Sequence, residues 1–309
     1  MTRTLSRDHT AADDAALYRV HEERDSQRLL ALLAEDRAHA AFAVGHLDSG
    51  LFGAARYWTA EGPAGEHAVV MHANGSLGRM SVVSGDPAAA AAALSLHPGP
   101  RGGYLATFAP EHLPAVRGVY ALGGLISMIR MSVDADSFRP AGAGIGRRSV
   151  QRLAARDARQ LNALYATGGG PTGYRGEHIE QGVYYGVFEG GTIAAVAGTH
   201  LVSPGMGIAV VGNVFTRVSA RGRGLATRVT SAVTADLLER GCWQVTLTVD
   251  PENAPALRAY ERLGYVRGAP VHEARFQRRD VLGLGAVLRR RFARRGPDGE
   301  RLVRVAPGG

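Results

Sequence analysis

Hydrophobic and polar positions alternate along the chain in short runs, each closed by turn residues, and the pattern is clearer in the second half than in the first. Arg19–Asp48 sets Leu29, Leu30, Leu32, Leu33 and Phe42 among charges, with no proline or glycine before Gly45, and predicts a helix. Apolar runs at Ala54–Thr59, His67–His72, Gly78–Val83 and Tyr104–Phe108 predict strands. The alanine-rich block Pro87–Leu96 predicts a helix ended by Pro98-Gly99-Pro100. A longer strand pattern, Leu125–Val133, leads into Asp134–Gly146, which is rich in Gly, Pro, Ala and Ser and reads as a domain boundary.

Beyond it, Ser149–Leu153 reads as a strand and Ala154–Tyr165 as a helix carrying Ala158, Leu161 and Leu164, before Gly168–Gly170 breaks the pattern. Val183–Phe188 and Thr192–Leu201 face each other across Glu189-Gly190-Gly191, a hairpin signal. A turn at Ser203–Gly207 leads into the strand Ile208–Thr216. A helix, the strand Trp243–Val249, another helix and a strand pair around Tyr265–Gln277 complete the series. The class expected is α/β in the α+β sense: a mixed, mostly antiparallel sheet with a parallel portion, flanked by helices in each half. The halves share this rhythm without a direct sequence repeat. Three parts are expected: residues 1–140, residues 141–280, and a basic tail over 281–309.

Composition narrows the class. At 309 residues, 45% hydrophobic and 21% charged, the chain is an ordinary globular one with room for two domains. The most apolar stretch, around Gly118–Ile129, is short and carries Gly118, Gly123 and Gly124, so no membrane span is expected. Met1–Asp14 lacks an apolar segment of the secretory kind, which points to the cytoplasm. The one cysteine, Cys242, excludes a disulfide framework and a multi-cysteine metal cluster, and no metal is expected. The net charge of +8 comes from arginine alone, all 36 basic residues, which with the heavy use of Ala and Gly looks like the bias of a GC-rich genome. Its one cluster, Arg289–Arg291 with Arg294 and Arg295, reads as a solvated helix end and a frayed terminus. With Phe292 its only aromatic, no nucleic-acid partner is expected.

Val210–Ala226 holds the candidate chemistry. A strand ending at Thr216 runs through a polar loop into Arg221-Gly222-Arg223-Gly224-Leu225-Ala226. Leu225, Val229, Ala232, Val233 and Leu237 then fall at helical spacing, and Gly241 ends the helix. The first amides of a helix lack internal partners and carry partial positive charge. Glycines let an anion approach the bare backbone, so the loop reads as a pyrophosphate cradle. Its spacing is neither a dinucleotide fingerprint nor a triphosphate loop. It resembles the Arg-x-x-Gly-x-Ala motif by which the GNAT acyltransferase superfamily binds acyl-CoA. Asp250-Pro251-Glu252-Asn253, with Ala256, Tyr260, Gly264 and Tyr265, is similar to that family's second signature. Val218 stands where the family commonly has proline, which alters loop stiffness and not the amides.

The resemblance covers roughly Gly146–Phe276. It implies that backbone amides from Gly222 to Ala226 hold the CoA pyrophosphate, that Asn253 contacts the pantetheine arm, and that Tyr260 points at the thioester sulfur. The implied activity is N-acetyl transfer from acetyl-CoA, as co-substrate, to the primary amine of a small molecule or amino acid, by direct attack. A catalytically silent CoA-binding module is the alternative. Amides near Phe215 and Thr216 would stabilise the oxyanion, and Tyr260, with a reference pKa of about 10, would protonate the leaving thiolate. A lysine-like amine is only roughly 0.1% neutral at pH 7.4 and an α-amine about a quarter neutral, so the first needs a base more. His200, at a strand end, is the candidate base because histidine titrates near neutral pH. Glu177, His178 and Glu180 fall in a loop where the family shapes its acceptor site. Cys242 reads as core. The first half lacks the cradle and looks like a degenerate lobe of the same family, as in glycine N-acyltransferase-like proteins. A monomer or homodimer is expected.

Overall fold

The computed structural model describes residues 15–75, 78–141, 150–168, 170, 172–280 and 282–306. The first half contains β1 (Ala16–Glu23), α1 (Ser26–Leu33), α2 (Ala41–Gly45), β2 (Ala55–Glu61), β3 (His67–Gly75), β4 (Gly78–Gly85), α3 (Pro87–Leu96), β5 (Gly102–Phe108), α4 (Leu113–Val119) and β6 (Tyr120–Asp134). The second repeats that order as β7 (Val150–Arg152), α5 (Ala158–Ala166), α6 (Gly176–Gln181), β8 (Tyr185–Glu189), β9 (Thr192–Ser203), β10 (Ile208–Thr216), α7 (Leu225–Glu239), β11 (Gln244–Val249), α8 (Ala254–Arg262) and β12 (Val266–Arg278). A closing segment adds α9 (Leu284–Phe292), β13 (Arg294–Arg295) and β14 (Arg301–Val305).

Local chemistry sets most of these bounds. Asp25 caps α1 by accepting from the amides of Gln27 and Arg28, and Asp86 caps α3 by accepting from Ala89, with Pro87 in the first turn. Gly190 and Gly191 both take positive φ in the tight β8–β9 turn. Four expectations are corrected. The helix over Arg19–Asp48 is β1 followed by two short helices. Tyr18 and Val20 alternate inward with Leu17 and Arg19 outward, a strand period hidden among charges. The strand pair at Tyr265–Gln277 is one long strand with two bulges against β6. Glu177, His178 and Glu180 lie on α6 and not in a loop. The basic tail does not fray: Arg289 and Arg290 donate to the carbonyls of Ser95 and Leu96, and β14 pairs with β1. Residues 142–149, which include Ser149 and the end of the Gly/Pro-rich stretch, lie outside the described residues.

Among the described residues the strands form one 14-stranded sheet, ordered β13-β14-β1-β2-β3-β4-β5-β12-β6-β11-β10-β9-β8-β7. Only β4–β5 and β10–β11 are parallel neighbours. The last strand of each half has crossed over. β12 pairs with β5 of the first half, and β6 pairs with β11 of the second. Helices α7 and α8 cover one face of the second half through Val229, Val233, Leu237 and Leu257. Each such buried aliphatic contributes about 1.5–3 kcal/mol. Helix α2 reaches across the junction, so that Phe42 and Val44 share a core with Leu201, Ile208 and Val210. Arg37 stacks 4.5 Å over Trp243, and the Ser203 hydroxyl donates to Asp48 across the same junction.

One buried group is at odds with this packing. Arg130 of β6 is 1% exposed, and none of its three guanidinium nitrogens has a hydrogen-bond partner. Burial pulls its pKa down, and its opposing charges, Glu273 and then Asp36, make no ion pair with it. A buried charge without a partner costs several kcal/mol. Arg130→Met keeps the length of the side chain and removes that cost. It is expected to raise stability by about 1–4 kcal/mol. A fall in the denaturant midpoint at unchanged slope would contradict this.

Candidate active site

The site begins where two parallel strands part. β10 and β11 pair only at Ile208–Gln244, Ala209–Val245 and Val210–Thr246. From Val211 onward the backbone of β10 that faces β11 has no strand partner. On its other edge β10 shifts register against β9 twice, at Val210/Val211 and between Gly212 and Phe215. The second bulge places Asn213 at φ 56°, where a side chain costs on the order of 1 kcal/mol and asparagine is among the better tolerated. Tyrosines hold it there. The Tyr165 hydroxyl donates to the Asn213 carbonyl at 2.6 Å, and Asn213 Nδ2 donates to the Tyr184 hydroxyl at 3.3 Å.

The parted strands open a cleft of 380 Å³. Its lining includes Phe215 of β10, His200 of β9, Thr248 of β11, Asn253 and Tyr260 at α8, and Glu273 of β12. The structure therefore brings together four of the residues singled out in the sequence: Phe215, His200, Asn253 and Tyr260. Asn253 caps α8, its Oδ1 accepting from the Ala256 amide at 3.2 Å. Tyr260 is 7% exposed, and burial pushes its pKa up to about 12, so it holds its proton at neutral pH.

His200 departs from the expectation. Its ring lies against Gly212, where any Cβ would overlap Nε2. Burial, and then the charge of Arg130, lower its pKa to about 4 instead of leaving it near neutrality. Its Nδ1 has no hydrogen-bond partner. His200 is a neutral, weakly basic ring at physiological pH.

Thr216 ends β10 opposite Ala195 of β9, and Arg221 to Ala226 form the entry to α7; none of these is on the lining of the cleft. Gly222 and Gly224 take φ values of 74° and 70°, and the helix begins at Leu225, which is buried, followed by Ala226. The first helical bond runs from the Arg228 amide to the Gly224 carbonyl, so the amides before it have no acceptor within the helix. The arginines hold this loop in place. Arg221 donates to the Thr216 carbonyl at 3.3 Å, and Arg223 is ion-paired with Glu189 of the β8–β9 turn. Glu189 also pairs with Arg217 at 3.6 Å, so the charge of Arg223 is offset only in part, and the anion-attracting character of the loop rests mainly on its amides and on Arg221.

Two further cavities meet the cleft at His200. One, of 570 Å³, is lined by Phe42, Tyr104, Thr248 and Glu273 among others. The other, of 410 Å³, is lined by His46, Tyr104, Tyr174, His178 and Tyr184. Glu177 and Glu180 are exposed and line neither. Sequence reasoning missed Glu273 and Thr248, whose place depends on strand order. Asn213, next to Gly212, is the one local signal of the bulge. Among the described residues no group of three His, Cys, Asp or Glu side chains could hold a metal ion, and no helix is long and apolar enough to cross a membrane.

The first half lacks the corresponding opening. β4 and β5 pair without a shift from Met80–Leu105 to Val83–Phe108. At the start of α3 the carboxylate of Asp86 already occupies the free amide of Ala89, and Pro87 has no N–H.

Residues 164–265 match the sequence model of the acetyltransferase (GNAT) family. A stretch of 46 residues is 48% identical to a mycothiol acetyltransferase of Corynebacterium jeikeium, covering 15% of this chain and 13% of that protein. An X-ray structure of a Drosophila protein shares the fold over 84% of this chain and 98% of its own, with TM-score 0.60 and 16% identity. A tandem GNAT protein from the clavulanic acid biosynthesis pathway aligns over 84% of this chain and 98% of its own, with TM-score 0.49 and 14% identity.

His200 and His72 are both held at about 4 by burial, against about 6.5 for a free histidine. As pH falls below the free value, the unfolded chain takes up protons that the folded chain refuses. The stability these groups contribute is therefore complete above about 6.5 and is lost progressively towards about 4. His200→Asn is expected to lose less stability than the parent between pH 7 and pH 5. Parallel denaturation curves for the two proteins at both pH values would contradict it.

Proposed function

We propose that this chain, whose residues 164–265 match the sequence model of the acetyltransferase (GNAT) family, transfers an acetyl group from acetyl-CoA to the primary amine of a small molecule. The observation that carries the reading is the parting of β10 and β11 beyond Val210, with Tyr260 and Asn253 on the cleft it opens. Acetyl-CoA supplies the activated thioester. In this reading residues 141–280 are the catalytic part and residues 1–140 a degenerate lobe that walls the acceptor space through Phe42 and Tyr104.

The amides from Gly222 to Ala226 receive the pyrophosphate, supported by the dipole of α7 and by Arg221. Asn253 meets the pantetheine arm at the start of α8. The backbone of β10 near Phe215 and Thr216, unpaired on the β11 side, donates to the carbonyl oxygen as negative charge develops there. Preorganised donors of this kind are worth about 2.7–4 kcal/mol each. Tyr260, protonated at neutral pH, gives its proton to the departing sulfur. His200 is a neutral hydrogen-bond partner for the incoming amine. With its pKa at about 4 it draws little proton from a lysine-like ammonium. The site therefore suits acceptors whose amine is substantially neutral at working pH, such as α-amines near about 7.8.

Release of free thiol from acetyl-CoA in the presence of an amine panel tests the reading. A silent binding module would bind acetyl-CoA and release none. Two variants separate binding from chemistry. Gly224→Asp sets a carboxylate against the pyrophosphate and is expected to abolish acetyl-CoA binding in a folded protein. Unchanged affinity by calorimetry would sink the cradle assignment. Tyr260→Phe removes only a hydroxyl and is expected to lower kcat by about 10²–10⁴-fold with little change in acetyl-CoA affinity. Near-normal turnover in that folded variant would remove Tyr260 from the acid role.

A further inference from the structure

Beside the acceptor space lies a groove of 650 Å³ whose lining contains Arg79, Arg101 and Arg275 and no carboxylate. Among its glycines, Gly123 has open space where a Cβ would stand, so a ligand can come close to the backbone of β6 there, whereas Gly102 and Gly103 make room for Phe276. The groove is not isolated. It shares Gly123 and Arg275 with the 570 Å³ cavity, which in turn shares His200, Asn213, Thr248 and Glu273 with the cleft of Tyr260. The three cavities therefore adjoin one another, from the reacting end of the cleft to the three arginines. The α7 loop with Arg221 and Arg223 shares no lining residue with the groove.

Some arginines of this chain sit in ion pairs, as Arg56 with Glu22, Arg152 with Asp236 and Arg267 with Glu261, and many do not. Arg79, Arg101 and Arg275 make none among the described residues, and what sets them apart is that they converge on one groove. Arg79 and Arg101 are exposed, and Arg275 lies 5.5 Å over the ring of Tyr104. Three uncompensated guanidinium groups around one groove make a field of a single sign. Their planar forks match the oxygens of phosphate and carboxylate. β12 completes the pattern. Glu273 and Arg275 both line the 570 Å³ cavity, the carboxylate towards the acyl cleft and the guanidinium towards the groove.

We propose that the acceptor is dipolar: besides its amine it carries a phosphate or carboxylate, which Arg275, Arg79 and Arg101 hold in this groove while the amine lies in the cleft. This assignment rests on the N-acetyltransferase reading and names its substrate class. The three arginines recognise one end of the acceptor, Glu273 accepts a hydrogen bond from the amine at the other, and the distance between them selects chain length.

The test uses the full chain, acetyl-CoA, and a ladder of alkylamines beside ω-aminoalkyl phosphates and ω-amino carboxylates of equal length, at about pH 9, where a few per cent of such amines are neutral. At low ionic strength kcat/KM is expected to favour the anionic acceptors at least about tenfold, with the advantage shrinking as salt rises. Arg79→Gln, at an exposed position without a partner, is expected to reduce kcat/KM for the anionic acceptor at least about tenfold more than for the alkylamine, chiefly through KM. Arg275→Gln is expected to act in the same direction. Equal rates for both acceptor types in the parent protein, or equal losses in the variants, would overturn the proposal and leave the acetyltransferase reading standing. Absence of thiol release with any amine would overturn that reading itself. A gel shift of a single-stranded oligonucleotide that Arg79→Gln abolishes, without acceptor discrimination, would reassign the groove to nucleic acid.

Discussion

β12 lies between β5 and β6, and much of the molecule follows from that one placement. Each half closes its sheet with a strand from the other, so neither has a complete hydrogen-bonded ladder of its own. Backbone groups at the middle of a sheet are costly to leave unpaired, which holds the two halves at one fixed relation. The exchange also decides what the site is made of. Glu273 and Arg275 arrive on β12, Thr248 on β11 and Phe42 on α2, so the 570 Å³ cavity is built at the seam and belongs to neither half alone.

The cleft is polar chemistry held in a largely neutral frame. Parting β10 from β11 leaves backbone donors bare, and the bulge at Asn213 costs conformational energy. The tyrosines at positions 165 and 184 stabilise the bulge through hydrogen bonds and leave the bare donors open. Burial keeps Tyr260 protonated and His200 neutral. The full charges nearby are Asp250 and Glu273 on its lining and the buried guanidinium of Arg130, which makes no ion pair with either. In a water-poor space such fixed groups act strongly on any charge that develops between them.

Much of the second half could be read from the sequence because its signals are local. Gly190-Gly191, the Arg221–Ala226 loop and Asn253 before an apolar helix face each carry their own reason for a turn, a helix start or a cap. β10 was recognisable as a strand from its apolar run, but its parting from β11 was not, since that depends on pairing and on Asn213 alone departing from extended backbone. β1 was hidden because His21, Glu22 and Glu23 follow its alternating positions and merge with the charged start of α1. The folded tail was missed because the arginines at 289 and 290 act through backbone carbonyls of α3, which no charge pattern reveals. The low pKa of His200 depends on Arg130, distant in sequence. Histidine's usual titration range misled there because burial and a neighbouring charge outweigh it.

The strand exchange also imposes an order on how the chain acquires its structure. When β1 to β6 have been made, β5 still lacks the neighbour that β12 provides, and β1 lacks β14. The first half therefore waits with strand edges on both sides unpaired, a state in which chains pair wrongly with one another. Contacts of such long sequence separation slow folding. The half without the Arg221–Ala226 loop is thus the one whose completion depends on strands made later, so damage to β12 or β14 should be felt first in the N-terminal half.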